Sequence, residues 1–137
     1  GTVTGRKRRC GWFDAVIVRQ SCAGSGGTGI ALTKLDVLDT VDEINICVGY
    51  KHKGKLYKEM PSDLEVLEEC TPQYISLPGW KQTTIGIKKY AQLPKKARAY
   101  VEKVCKLCGV KPSIISTGAR RDETIILEKP FQKAVKK

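Results

Sequence analysis

Residues Pro94 to Gly109 form the stretch that most constrains the fold. Ala97, Tyr100, Val101, Val104, Leu107 and Cys108 recur three or four positions apart, which lays one apolar stripe along a helix, and Gly109 supplies its stop. A helix with one apolar face has to bury it, and candidate strands follow directly at Ile114-Ile115 and Thr124–Leu127. Upstream the same alternation recurs. Trp12, Phe13, Val16 and Ile17 stand at helical spacing with Asp14 suited to the first turn, and the helix should end in the glycines of Ala23–Gly27. Ile30–Thr33 reads as a short buried strand, and Ile44–Val48 and Leu56-Tyr57 flank a hairpin tip at Lys51–Gly54. Ser62-Asp-Leu-Glu65 is a capping-box pattern that opens a helix to about Glu69, and Leu77-Pro-Gly-Trp80 is a turn with a large anchor behind it. Helices alternating with apolar strands argue an α/β architecture with a partly parallel sheet. Residues 1–9 read as a loop, the lysine-rich tail from Gln132 as a frayed end, and no repeat or linker divides the 137 residues.

The charge narrows the function. With 25 Lys and Arg against 14 Asp and Glu, the net charge of +11 implies an anionic partner. A nucleic acid rewards many scattered cations through counterion release, whereas a phosphorylated small molecule needs a few cations converging on one site. No apolar run is long enough to span a bilayer, and the polar, basic start lacks the apolar stretch of a signal peptide, so a soluble intracellular protein is expected. The six cysteines, at 10, 22, 47, 70, 105 and 108, are accordingly expected to be buried reduced thiols.

Three patterns imitate known sites. Gly24-Ser-Gly-Gly-Thr-Gly29 matches a dinucleotide fingerprint by letter, but its order is helix, glycines, strand, so no helix N-terminus follows to meet a pyrophosphate. Gly49–Lys55 matches most of a phosphate loop, yet Leu56 stands where a magnesium-binding hydroxyl belongs and the segment reads as a hairpin. Cys105-Lys-Leu-Cys108 has no second pair, and its two cysteines share a helix face, which suits two small apolar residues better than a metal or redox site.

Other strings carry chemistry. In Thr33-Lys34-Leu35-Asp36, at the end of a predicted buried strand, the carboxylate offers two acceptor oxygens spaced to receive guanine N1–H and the 2-amino group. Lys34 can lay its aliphatic stem along a base while its ammonium stays in water. GTP-binding proteins use a similar string, although a plain polar strand end reads the same way. Thr2–Arg9 clusters arginine forks suited to carboxylate and phosphate oxygens, with Gly5 allowing close backbone approach; a solvated basic arm or a nucleic-acid contact, as in a basic nucleic-acid-binding module, is the competing reading. Ser116-Thr117-Gly118 follows a predicted strand, where its backbone and hydroxyl groups can complete a base- or ribose-binding wall, although it is also a common turn sequence.

Taken in order, Thr-x-Thr-Gly-Arg-x-Arg-Arg-x-Gly-Trp-Phe-Asp, Leu-Thr-Lys-Leu-Asp-Val-Leu-Asp, Leu-Pro-Gly-Trp, Ser-Thr-Gly and Glu-Thr-Ile resemble adenylosuccinate synthetase over nearly the whole chain. The resemblance implies the C-terminal part of a large, mostly parallel mixed sheet with flanking helices, of the P-loop nucleotide-hydrolase type. It implies a GTP-dependent ligase that joins L-aspartate to IMP, cytoplasmic and homodimeric, with no membrane or specific nucleic acid as partner. Thr2, Val3, Thr4, Gly5, Arg6, Lys7 and Arg8 match the aspartate loop; Arg6 also matches an IMP contact and Arg8 a GTP contact. Lys34, Leu35 and Asp36 match the guanine motif, and Ser116, Thr117 and Gly118 a second GTP contact. Val3 stands where many members carry a hydroxyl, and Ala119-Arg120 replaces the commoner Pro-Asp. The phosphate loop, the Mg2+ ligands and the catalytic aspartate and histidine of the family lie upstream of the matched stretch. The expectation is therefore one C-terminal region, residues 1–137, of a larger enzyme. It would hold the specificity half of a site, with no catalytic or metal-binding residue of its own, and be inactive alone.

Overall fold

Helix α3 (Lys95–Cys108) lies at the centre of the computed structural model, which describes residues 4–7 and 9–128. Thr2, Val3, Arg8 and the tail 132–137 lie outside the described residues. The apolar stripe of α3 is buried at Ala97, Tyr100, Val101, Val104, Cys105 and Cys108, while Leu107 sits half-buried at its margin. Gly109, at φ 69°, ends the helix and donates its N–H back to Cys105 and Lys106.

The stripe packs on a three-stranded sheet. Strand β2 (Gly29–Leu32) runs parallel to β6 (Lys111–Ser116), which pairs antiparallel with β7 (Thr124–Ile126). Ile115 and Ile125, both essentially inaccessible to solvent, face the same core as Val101 and Val104. Gly29 lets the two strands approach closely, because a Cβ there would stand 2.1 Å from Ser113 Oγ and displace that hydroxyl.

A second sheet is built around β3 (Glu43–His52). Strand β5 (Thr71–Pro78) pairs antiparallel with it from Glu43 to Lys51, while β1 (Phe13–Asp14) joins it in parallel and β4 (Lys55–Tyr57) antiparallel. Lys53 and Gly54, both at positive φ, make the two-residue turn between β3 and β4, so the segment resembling a phosphate loop is a hairpin, as expected. The α/β class read from the sequence is the one observed, as two mixed sheets. Within the described residues antiparallel pairings outnumber parallel ones, because the Lys53-Gly54 turn and the return through β5 each fold the chain back onto β3.

Two helix starts differ from the sequence reading for one reason. Helix α1 spans Ala15–Ser25, so Trp12 and Phe13 precede it, and Phe13 pairs beside Ile46 in β1. Asp14 is its N-cap, with Oδ1 accepting from the amides of Val16 and Ile17 at 2.9 and 3.1 Å. Helix α2 (Leu64–Glu69) is capped by Asp63, whose Oδ1 accepts from Glu65 N at 2.9 Å, in place of Ser62. In both places an aspartate satisfies the first amides more directly than the expected pattern and moves the boundary toward itself. Strand β5 carries no strong signal in its own sequence. Its Leu77-Pro78 end leads into Gly79, where a Cβ would stand 1.8 Å from the carbonyl oxygen of Val41, and then into buried Trp80.

Candidate functional site

Because β2 and β6 are parallel neighbours, with Leu32 beside Ile115, the chain leaves both strands at the same edge of the sheet. The carboxyl ends of parallel strands are where open α/β sheets bind ligands, since the departing loops splay apart there. Thr33–Asp36 departs from β2 and Thr117-Gly118 from β6 at this edge.

Lys34 adopts a left-handed conformation (φ 59°, ψ 43°) that turns the chain out of β2 and into a 3-10 turn, Leu35–Leu38. The aspartate thus stands inside this turn, a step beyond the strand end where the sequence placed it. Leu35 is 3% exposed and anchors the turn in the main core. Asp36 is half-buried, and its Oδ1 is shielded from solvent without any hydrogen-bond partner. A buried acceptor left unmatched costs about 1–3 kcal/mol, and more when charged, so this oxygen is arranged for a donor that the described residues do not supply. The Lys34 side chain is exposed beside it in sequence.

The second turn is held from within. Thr117 is fully buried; its hydroxyl donates to Ile87 O at 2.8 Å and its amide to Glu123 O at 2.9 Å. The Ser116 hydroxyl donates to Gly118 O at 3.0 Å. A Cβ on Gly118 would stand 2.1 Å from Glu123 Oε2, which accepts from Arg120 N at 2.8 Å. The Thr117 hydroxyl and amide are therefore both committed to the fold, and its carbonyl accepts from Gly86 N at 3.3 Å, so this residue holds the turn in place.

In the arginine loop, Thr4, Gly5, Arg6, Lys7 and Arg9 are exposed, Gly5 is at φ 62°, and Arg6 N donates weakly to Thr4 Oγ1 at 3.5 Å. Thr4, Arg6, Lys7 and Arg9 line an open depression of about 600 Å³. Arg9, part of the expected arginine cluster though beyond the loop matched to the family, belongs to that group. Cys10, Gly11 and Trp12 line a second depression, of about 400 Å³, together with Val37, Leu38 and Tyr74. The loop therefore ends against the 3-10 turn that holds Asp36.

The imitating motifs stay apart from this edge. Gly26 and Gly27 close α1 and lead into β2, so no helix follows the glycines. Cys105 and Cys108 are buried in α3, and burial raises both thiols, Cys108 to about 11, which holds them protonated. Cys47 is likewise buried, Cys22 and Cys70 are half-buried, and Cys10 is exposed, against the expectation of uniform burial. His52 Nε2 lies 2.8 Å from Glu69 Oε2.

The model of the family described as adenylosuccinate synthetase matches residues 1–125. The chain belongs to the adenylosuccinate synthetase family. Adenylosuccinate synthetase 1, chloroplastic, of Ricinus communis is 52% identical over 131 residues, which are 96% of this chain and 30% of that protein. The adenylosuccinate synthetase of Alkalilimnicola ehrlichii is 48% identical over 134 residues, 98% of this chain and 31% of the relative. A solved structure of fully ligated adenylosuccinate synthetase from Plasmodium falciparum superposes with a TM-score of 0.85 at 32% identity, over 93% of this chain and 31% of that one. The chain thus spans about 30% of the length of the curated synthetases it matches. Among the described residues no three His, Cys, Asp or Glu side chains converge as a metal site. Among them, too, no helix is long and apolar enough to cross a membrane.

Proposed function

We propose that this chain is the base- and aspartate-recognising region of a GTP-dependent synthetase that joins L-aspartate to IMP. The single observation that carries the reading is Asp36 Oδ1, buried and unpartnered at the edge shared with the Ser116–Gly118 turn. Guanine presents two adjacent donors, N1–H and the 2-amino group, and a carboxylate with an open buried oxygen accepts both. Lys34 lies along the base, Leu35 holds the turn through its buried side chain, and the Ser116-Thr117-Gly118 turn forms the opposing wall.

The arginine loop supplies the second half of the reading. Thr2, Val3, Thr4, Gly5, Arg6, Lys7 and Arg8 receive the aspartate carboxylates, with Arg6 also reaching IMP and Arg8 also reaching GTP. Guanidinium forks match carboxylate geometry in a way that an ammonium does not. Mg2+ and the phosphate-transferring groups belong to the remainder of a full-length, homodimeric and cytoplasmic enzyme, of which residues 1–137 form one region. Alone, the region makes no adenylosuccinate.

The test compares nucleotides in the full-length synthetase that carries this region. ITP keeps the N1–H but lacks the 2-amino group, and ATP lacks both donors. Use should fall in the order GTP, ITP, ATP; equal use of GTP and ATP would overturn the reading.

A further inference from the structure

The fold sets a half-buried and a buried carboxylate three positions apart and treats them in opposite ways. Asp36 leaves an oxygen without a donor. Asp39, 8% exposed, is saturated: Oδ1 accepts from Trp80 Nε1 and from Thr84 Oγ1, each at 2.7 Å, and Oδ2 accepts from Thr84 N at 2.6 Å. Its own amide donates to the Asp36 carbonyl at 3.1 Å, so whatever fixes Asp39 fixes the turn that carries Asp36.

The same segment that saturates Asp39 reaches the second turn. Thr84, wholly buried, opens a tight turn closed by Ile87 N on Thr84 O at 3.2 Å, with Gly86 at φ 78°. Gly86 N donates to Thr117 O at 3.3 Å, and Ile87 O accepts from the Thr117 hydroxyl at 2.8 Å. An unbroken path of hydrogen bonds therefore runs from Asp36 through Asp39 and Thr84 to Gly86, Ile87 and Thr117. Trp80 anchors it in the core, its ring centroid 6.0 Å from that of Tyr100.

We propose that the Trp80–Ile87 segment is a clamp that sets the two base-facing turns against each other, with Asp39 and Thr84 as positioning residues for guanine selectivity. The inference rests on the guanine reading of Asp36. A two-bond contact to a base edge has to be held to within about 0.5 Å, and a turn of four residues at the end of a strand does not hold itself that well. A buried carboxylate given three donors, by contrast, is rigid and costly to displace.

The experiment uses Thr84→Val, which keeps the shape but removes one donor to Asp39, Thr84→Ser, which returns a hydroxyl, and Trp80→Phe, which removes the indole donor. All are made in the full-length synthetase, alongside Asp36→Asn. Thr84→Val and Trp80→Phe should each raise the KM for GTP by about three- to ten-fold, the effect of one weakened hydrogen bond. The preference for GTP over ITP should narrow in both, while kcat and the KM values for IMP and aspartate stay as in the parent. Thr84→Ser should recover the GTP KM. If both variants lower Tm yet keep the parental GTP KM and GTP-over-ITP preference, the clamp is merely structural and the inference is overturned. Should Asp36→Asn itself leave nucleotide preference unchanged, the guanine reading fails and takes the clamp with it. A shift in preference with Asp36→Asn but not with the clamp variants overturns the clamp alone.

Discussion

Tyr50 donates its hydroxyl hydrogen to Oδ2 of Asp14, while Oδ1 of the same carboxylate caps helix α1. One side chain thereby joins the C-terminal part of β3 to the start of α1, in a small cluster with Val16 and Cys47. Asp14→Ala should lose the cap and strand the tyrosine hydroxyl, costing about 2–4 kcal/mol. Tyr50→Phe removes only one donor and should cost about 1 kcal/mol. Urea denaturation of the three proteins checks the order. Equal losses would mean that the cap carries no weight.

The buried phenols and thiols give an alkaline prediction. Burial raises Tyr100 from 10.0 to about 12 and Cys108 from 9.0 to about 11, and burial with the Asp14 hydrogen bond raises Tyr50 further. Each folded-state pKa lies above its unfolded value, so the folded state holds the proton more tightly. The associated stability is complete below pH 9 and is lost as the unfolded chain ionises first. The urea midpoint should therefore be flat from pH 7 to about 9 and fall steeply by about 11. Cys108→Ala should flatten the first part of that fall.

Legibility followed the range of each signal. The α3 stripe, the strands at Ile114-Ile115 and Thr124–Leu127 and the hairpin around Lys51–Gly54 are written in local periodicity and turn chemistry, and each appears, the last strand ending at Ile126 and the turn tightened to Lys53-Gly54. Where two capping residues stood close together, the pattern chose Ser62 over Asp63 and moved Asp14 into the helix, because the competition is decided by geometry that letters do not carry. Strand β5, bounded by prolines, is defined by its partner β3, which lies outside its own window. Asp36 was legible as part of a string. Asp39 and Thr84, 45 positions apart, were not, since nothing local to either residue announces the other.

In the arginine loop of the full-length enzyme, Arg8→Leu should raise the aspartate KM by about ten- to a hundred-fold, because a carboxylate loses a charge-assisted partner worth about 1.5–3 kcal/mol. Lys7→Leu should have a much smaller effect, since an ammonium does not supply the paired donors of a guanidinium. Steady-state kinetics with aspartate varied will separate the two. Equal sensitivity would favour a diffuse basic arm over a shaped site.

Cys105 and Cys108 are buried neighbours on α3, and their thiols are held protonated. Replacing both with Ala should leave GTP, IMP and aspartate kinetics of the full-length enzyme largely intact, with a stability loss of about 1–2 kcal/mol from the lost packing. Elemental analysis is the sharper check. Stoichiometric zinc that disappears with the double substitution would make the pair a metal site.

Asp36→Asn tests the base contact most directly. The amide replaces one acceptor oxygen with a donor that faces a guanine donor, so a bond is lost and a repulsion gained. The kcat/KM for GTP should fall by about ten- to a hundred-fold, from about 1.5–3 kcal/mol of charge-assisted bonding. Xanthine carries a carbonyl where guanine carries its amine, which gives the new amide something to donate to. The variant should therefore prefer XTP to GTP, while the KM values for IMP and aspartate stay close to the parent's. A uniform loss of activity with GTP still preferred would make Asp36 a structural residue. Its unpartnered oxygen would then need another donor from within the enzyme.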